Sequence, residues 1–167
     1  MTIIAREITI NKSKDEVWKA IAKFGDICHG SPGVLKSYVT SEQQEGVGAT
    51  RHCDLFMMGA TIEERISEWN EGESLTIDIY EFNKLPGIKS MRALFSVRTE
   101  NDNTVLRADL NYNMKNSFYE LLNKLMMKSM NTKNWNGVLA GHKKYIETGK
   151  RVDQKTVLDF SEVAHLN

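Results

Sequence analysis

The chain is poor in the features that mark many specialised proteins. Cysteine occurs only twice, as Cys28 and Cys53, too few for a disulfide framework in a chain long enough to fold without one. Reduced thiols in a cytoplasmic protein are the natural expectation. No window approaches the about 18 consecutive apolar residues that a membrane-spanning helix needs, so no membrane span is expected. The opening "MTIIAREITI" has no basic region followed by a long apolar stretch, and no secretory signal is expected. An excess of one charge is missing too, since 22 Lys and Arg balance 22 Asp and Glu. A nucleic-acid binder usually concentrates basic charge on one face, which makes that partner unexpected. No glycine-rich phosphate loop precedes a helix and no Ser-His-Asp order stands out. No cofactor is therefore expected.

What is present suits one domain with a real core: 167 residues, 41% of them hydrophobic. Residues 3–11 read as a strand. Ser13 precedes Glu16 by three positions in "SKDEVWKAIAKFG", the pattern of a capping box. Val17, Ala20, Ile21 and Phe24 then follow at helical spacing, with Gly25 as the stop. "DICHGSPGV" holds one further helical turn at most. Six more strands are expected at 34–41, 47–56, 60–69, 74–82, 89–99 and 104–114, separated by "EQQEG", "MMG", "NEGE", "NKLPG" and "ENDN". Such short breaks imply antiparallel hairpins. From Asn116 to Thr148 the pattern turns helical, with an apolar stripe through Leu121, Leu122, Leu125, Met126, Met130, Val138, Leu139, Tyr145 and Ile146 and Gly149 as the stop. One helix of that length must cover one face of the sheet, and a sheet curled around one helix leaves room for a cavity.

"SKDEVWKAIAKFGDICHGSPGV", "EGVGATRHCDL" followed by "IEERISEWNEGESLTIDIYE", and "NGVLAGHKKYIETG" together resemble the START-related superfamily (the SRPBCC group). Its branches include polyketide cyclases, abscisic acid receptors and birch-pollen allergens. The resemblance spans roughly residues 3–149 and implies an α+β helix-grip fold. That fold has a curled seven-stranded antiparallel sheet around a long C-terminal helix, with two short helices after the first strand. Residues 1–149 would form a single START-like domain and 150–167 a C-terminal extension. Members of the group bind small hydrophobic molecules between sheet and helix, and some catalyse cyclisation or dehydration. One fold carries many activities, so the motifs speak more to fold than to function. The extension contains Val152, Val157, Leu158, Phe160, Val163 and Leu166. These residues need cover from the domain's own surface or from a second copy of the chain, as in a homodimer.

Arg51 and Glu64 are the leading site candidates. Strand periodicity puts Arg51, Cys53 and Leu55 on one face and Ile62, Glu64 and Ile66 on one face of the next strand. The resemblance implies that these faces line the cavity. Two opposite charges there are tolerable as a pair or with a polar ligand; a structural salt bridge or an exposed cross-strand pair is the plainer reading. Glu64 is also the candidate general acid/base if the protein is an enzyme, with Tyr80 or Arg51 stabilising developing negative charge. The resemblance turns Asp78 and Tyr80 inward, whereas alternation favours Leu75, Ile77 and Ile79. "VLRADLNYN" poses the same choice between Arg107 and Asp109 and the set Leu106, Ala108 and Leu110. Met91, Ala93 and Phe95 would complete the ligand-binding walls. Gly137 and Gly141 leave either space for a ligand or room for a neighbouring strand or helix. Met57, Met58, Leu85 and Pro86 lie in two loops that the resemblance places at the pocket entrance; packing of loop tips is the alternative. Cys28–His29 and His52–Cys53 match no zinc spacing, and strand neighbours point to opposite faces, so no metal is expected. His142 on the long helix could act as a general base, but a half-exposed surface histidine is the plainer reading. Three functions remain open: binding of a small hydrophobic ligand, cyclase/dehydratase-like catalysis, and assembly around a filled core.

Overall fold

The computed structural model describes residues 1–166; Asn167, the last residue of the extension, lies outside them. β1 (Thr2–Ile10) leads into α1 (Lys14–Ala22). The capping box closes as the sequence requires: Glu16 N donates to Ser13 Oγ, and Ser13 N donates to Glu16 Oε2 at 3.0 Å. α1 stops at Ala22 rather than at Gly25, and a 3₁₀ segment, Phe24–His29, carries the chain on. β2 (Val34–Val39), β3 (Thr50–Leu55), β4 (Thr61–Asn70), β5 (Ser74–Asn83), β6 (Ile88–Glu100) and β7 (Asn103–Met114) follow as successive antiparallel hairpins.

The long helix comes last but is not uniform. α2 (Ser117–Leu122) passes through a π-helical turn, Asn123–Met127, into α3 (Lys128–Thr148). Gly149, at φ 72°, supplies the left-handed cap, and its N–H donates to Tyr145 O at 2.7 Å. The sheet order is β2-β3-β4-β5-β6-β7-β1-β8, eight strands among the described residues rather than seven. The added strand, β8 (Ala164–Leu166), comes from the extension and pairs with the outer edge of β1. Val152 and Val163 of the extension are buried, and Lys144 Nζ donates to Val157 O at 3.0 Å, so the extension lies on its own domain.

Alternation decides the disputed faces. Leu75, Ile77 and Ile79 are buried, as are Leu106, Ala108 and Leu110. Asp78 lies outside, bound by Arg92 at 2.6 Å, and Arg107 grips Asp109 at 2.8 Å on the other side of β7 from the core. The apolar stripe of the long helix is only half covered. Val138 and Ile146 pack on the core and Leu139 is buried, but Leu121, Leu125, Met126 and Met130 are exposed. The positions that turn inward in the first half are Asn123, Met127, Asn131 and Trp135, one every four residues.

Candidate functional site

Between the concave sheet and α3 lies a cavity of about 210 Å³. β3 contributes Arg51, Cys53 and Leu55, β4 contributes Ile62 and Glu64, and β6 contributes Met91, Ala93 and Phe95. α3 closes the other side with Asn131, Asn134, Trp135 and Val138. Met57 and Leu85 line it from the two loops named in the sequence. Arg51 and Glu64 are the only charged side chains among the described lining residues.

The pair forms because β3 and β4 bring the two residues directly opposite each other. Arg51 Nε donates to Glu64 Oε2 at 2.6 Å, and Nη2 lies 2.5 Å from the same oxygen. Nη1 donates to the Phe24 carbonyl at 2.5 Å, and the guanidinium carbon sits 4.1 Å from the centre of the Phe24 ring. The Cys53 thiol also donates to Oε2, at 3.2 Å. No described residue bonds Glu64 Oε1, which leaves that oxygen free to meet a bound molecule. Burial pushes the Cys53 thiol far up from its ordinary value, Glu64's charge adds to this, and Arg51 only partly opposes it. Cys53 is therefore a neutral thiol that donates a hydrogen bond.

His142 is not the half-exposed residue expected but lies 3% exposed beneath this cluster. Its Nδ1 is 2.7 Å from the Val138 carbonyl, which makes Nδ1–H the donor, and its ring centre is 6.3 Å from that of Phe95. Burial first, then the charge of Arg51, holds it down to about 4 against the pull of the Val138 bond. The imidazole is neutral. Nearby, Ser31 lines the cavity with a buried hydroxyl that has no hydrogen-bond partner among the described residues.

Five sequence candidates lie elsewhere. Tyr80 is half exposed on the outer face, 5.1 Å from the Arg65 guanidinium. The cause is alternation: Tyr80 shares the face of Asp78, opposite the buried Ile77 and Ile79, and a bulge between Glu63 and Glu64 leaves it without a partner in β4. Gly141 makes room for backbone and Gly137 for the Pro32 ring, neither for ligand. A Cβ on Gly141 would collide with the Gly30 carbonyl oxygen, and one on Gly137 would touch Pro32 at 3.4 Å. Met58 is 75% exposed at the loop tip and Pro86 is exposed, so neither lines the cavity. His52 and Cys53 do point to opposite sides: the imidazole sits outside between Glu63 and Asp54, and the Glu63 hydrogen bond raises it above its ordinary value. Sequence reasoning passed over Asn131, Asn134 and Trp135. Their spacing of three and four residues, out of phase with the leucine stripe, was the available signal.

A profile of the family described as polyketide cyclase / dehydrase and lipid transport matches residues 1–147. The fold is similar to that of a protein from Thermus thermophilus, at 14% identity and TM-score 0.71 over 87% of this chain and 97% of that one. It is also similar to ginseng major latex-like protein 151 from Panax ginseng, at 13% identity and TM-score 0.70 over 86% and 96%. Ara h 8.0201 matches at 12% identity and TM-score 0.63 over 87% and 97%. Curated protein sequences give no match. No helix of the described residues is long and apolar enough to cross a membrane.

Proposed function

From the premise that the chain belongs to the polyketide cyclase / dehydrase and lipid transport family, we propose that it binds a small apolar molecule bearing one polar group between the sheet and α3. The observation that carries this reading is the buried Arg51–Glu64 pair, with Oε1 unclaimed, in a cavity whose other walls are mainly apolar. A buried ion pair seldom adds net stability, because desolvation offsets most of the attraction. Recognition of a polar group is a better reason for it than folding. Size narrows the ligand. An apolar cavity of about 150 Å³ takes a benzene-sized molecule, and drug-sized pockets begin near 300 Å³. At about 210 Å³ this one suits a ring with a short chain. Met57 and Leu85, both half-buried, would form its entrance. Two unbridged cysteines suit a protein of the reducing cytoplasm.

A second reading is favoured by the free Glu64 oxygen. A carboxylate facing an apolar cavity can take a proton from a substrate carbon or hydroxyl and return it, as a cyclase or dehydratase requires. Arg51, tied to both Glu64 and Phe24, would then serve to hold the carboxylate in place.

Native mass spectrometry of freshly purified protein tests the binding reading. The expected result is an adduct of small-molecule mass that is released on denaturation. Bare protein that takes up nothing from an extract of its host cells would contradict it.

A further inference from the structure

One end of the molecule differs from the rest of its surface. The β3–β4 loop, the β5–β6 loop and α2 lie side by side there. Lys84 Nζ sits beside Gly59, the Gly87 backbone packs on the Tyr119 ring, and Lys115 N donates to the Gly87 carbonyl at 2.8 Å. Met57 and Leu85 of these loops line the cavity, and Asn134, also on its wall, is exposed. Phe118, Leu121, Leu125, Met126 and Met130 are exposed along the helix, and Phe56 and Met58 at the loop tip are 61% and 75% exposed. Exposed apolar side chains scattered singly are ordinary; gathered together they mark an interaction surface.

The loops and helix here carry mostly positive charge, with Asp54, Glu63 and Glu81 standing at the loop bases. Segments 56–60, 84–91 and 115–133 contain six lysines, at 84, 89, 115, 124, 128 and 133, all exposed, and one acidic residue, Glu120. The whole chain has a formal net charge of zero. The π turn fixes the helix in this orientation. Asn123 is buried, accepting from Tyr112 Oη at 2.8 Å and donating to Thr2 Oγ1 at 2.9 Å, while Lys124, Leu125 and Met126 beside it face out.

We propose that this end docks on an anionic lipid bilayer. Phe118, Leu121, Leu125 and Met126 enter the boundary between headgroups and acyl chains, the lysines meet lipid phosphates, and the cavity mouth faces the membrane. A second copy of the chain fits this surface poorly, because it would bring lysine against lysine. The helix presents a convex stripe, which a protein partner must match with a groove but which a bilayer accepts without one. The proposal is independent of what the cavity holds.

Co-sedimentation of the full chain with vesicles tests it, using phosphatidylcholine alone and phosphatidylcholine with roughly a third phosphatidylglycerol. Wild type should bind the anionic vesicles at least about tenfold more tightly than the neutral ones, and more weakly as salt is raised. Leu121→Asp with Leu125→Asp should lower that binding at least about tenfold, and Lys124→Glu with Lys128→Glu should do the same. All four positions are exposed, so circular dichroism should show both variants folded. Val47→Asp, on an exposed residue of the β2–β3 connection at the opposite end, should change nothing. Folded wild type that sediments with neither vesicle would overturn the proposal. So would an equal loss in Val47→Asp, or a wild-type dimer in analytical ultracentrifugation that Leu121→Asp with Leu125→Asp abolishes.

Discussion

Arg51 and Glu64 stand opposite each other on β3 and β4, and their side chains, 3% and 8% exposed, meet inside the cavity with Nε 2.6 Å from Oε2. Neither residue is free to act alone. Removing one charge strands the other, and an uncompensated buried charge costs about 3–5 kcal/mol.

The first prediction follows from that asymmetry. Glu64→Gln should destabilise the fold by about 3 kcal/mol, because the Arg51 guanidinium keeps its hydrogen bonds but loses its counter-charge. Arg51→Met with Glu64→Leu, which removes both charges, should restore stability to within about 1 kcal/mol of wild type. Urea denaturation measures both. A double variant as unstable as the single one would make the pair a structural element.

His142 gives the second prediction. Its folded value of about 4 lies below the ordinary 6.5, so the unfolded chain binds the extra proton between those values. Stability from the neutral ring is therefore intact above pH 6.5 and declines as pH falls toward 4, by at most about 3 kcal/mol. Denaturation midpoints at about pH 7 and about pH 4.5, on either side of the ordinary histidine value, should differ less in His142→Phe than in wild type. The same slope in both proteins would remove His142 from the account.

The two helix glycines separate cleanly in the third prediction. Gly141→Ala drives a methyl into the Gly30 carbonyl and should cost about 1–3 kcal/mol. Gly137→Ala meets only the Pro32 ring at ordinary contact distance and should stabilise by up to about 1 kcal/mol through helix propensity. Thermal melts decide. Equal tolerance at both positions would mean that the 3₁₀ segment can move away from α3.

The site was legible where strand periodicity is unbroken. Arg51, Cys53, Ile62 and Glu64 reach the cavity because β3 and β4 pair through these residues without a register shift. Tyr80 lies outside as strand alternation with Leu75, Ile77 and Ile79 requires, and the inward placement that the resemblance implied does not hold. Periodicity along the long helix revealed an apolar stripe but not which face is covered. Asn123 and Asn131 turn inward while Leu121 and Leu125 stay in solvent, an arrangement set by the hydrogen bonds of Asn123 to Tyr112 and Thr2. β8 escaped notice because three residues are too few to display alternation.

The most direct test of the cavity as a ligand site is a pair of amide chemical-shift titrations with 4-propylphenol and propylbenzene, which differ by one hydroxyl. The account predicts shifts at Cys53, Glu64, Ala93 and Trp135, which line the cavity. It also predicts a preference for the phenol of at least about tenfold, equivalent to about 1.4 kcal/mol, that disappears in Arg51→Met with Glu64→Leu. Shifts confined to the exposed helix around Leu121 and Leu125, or equal affinity for both probes in wild type, would contradict it.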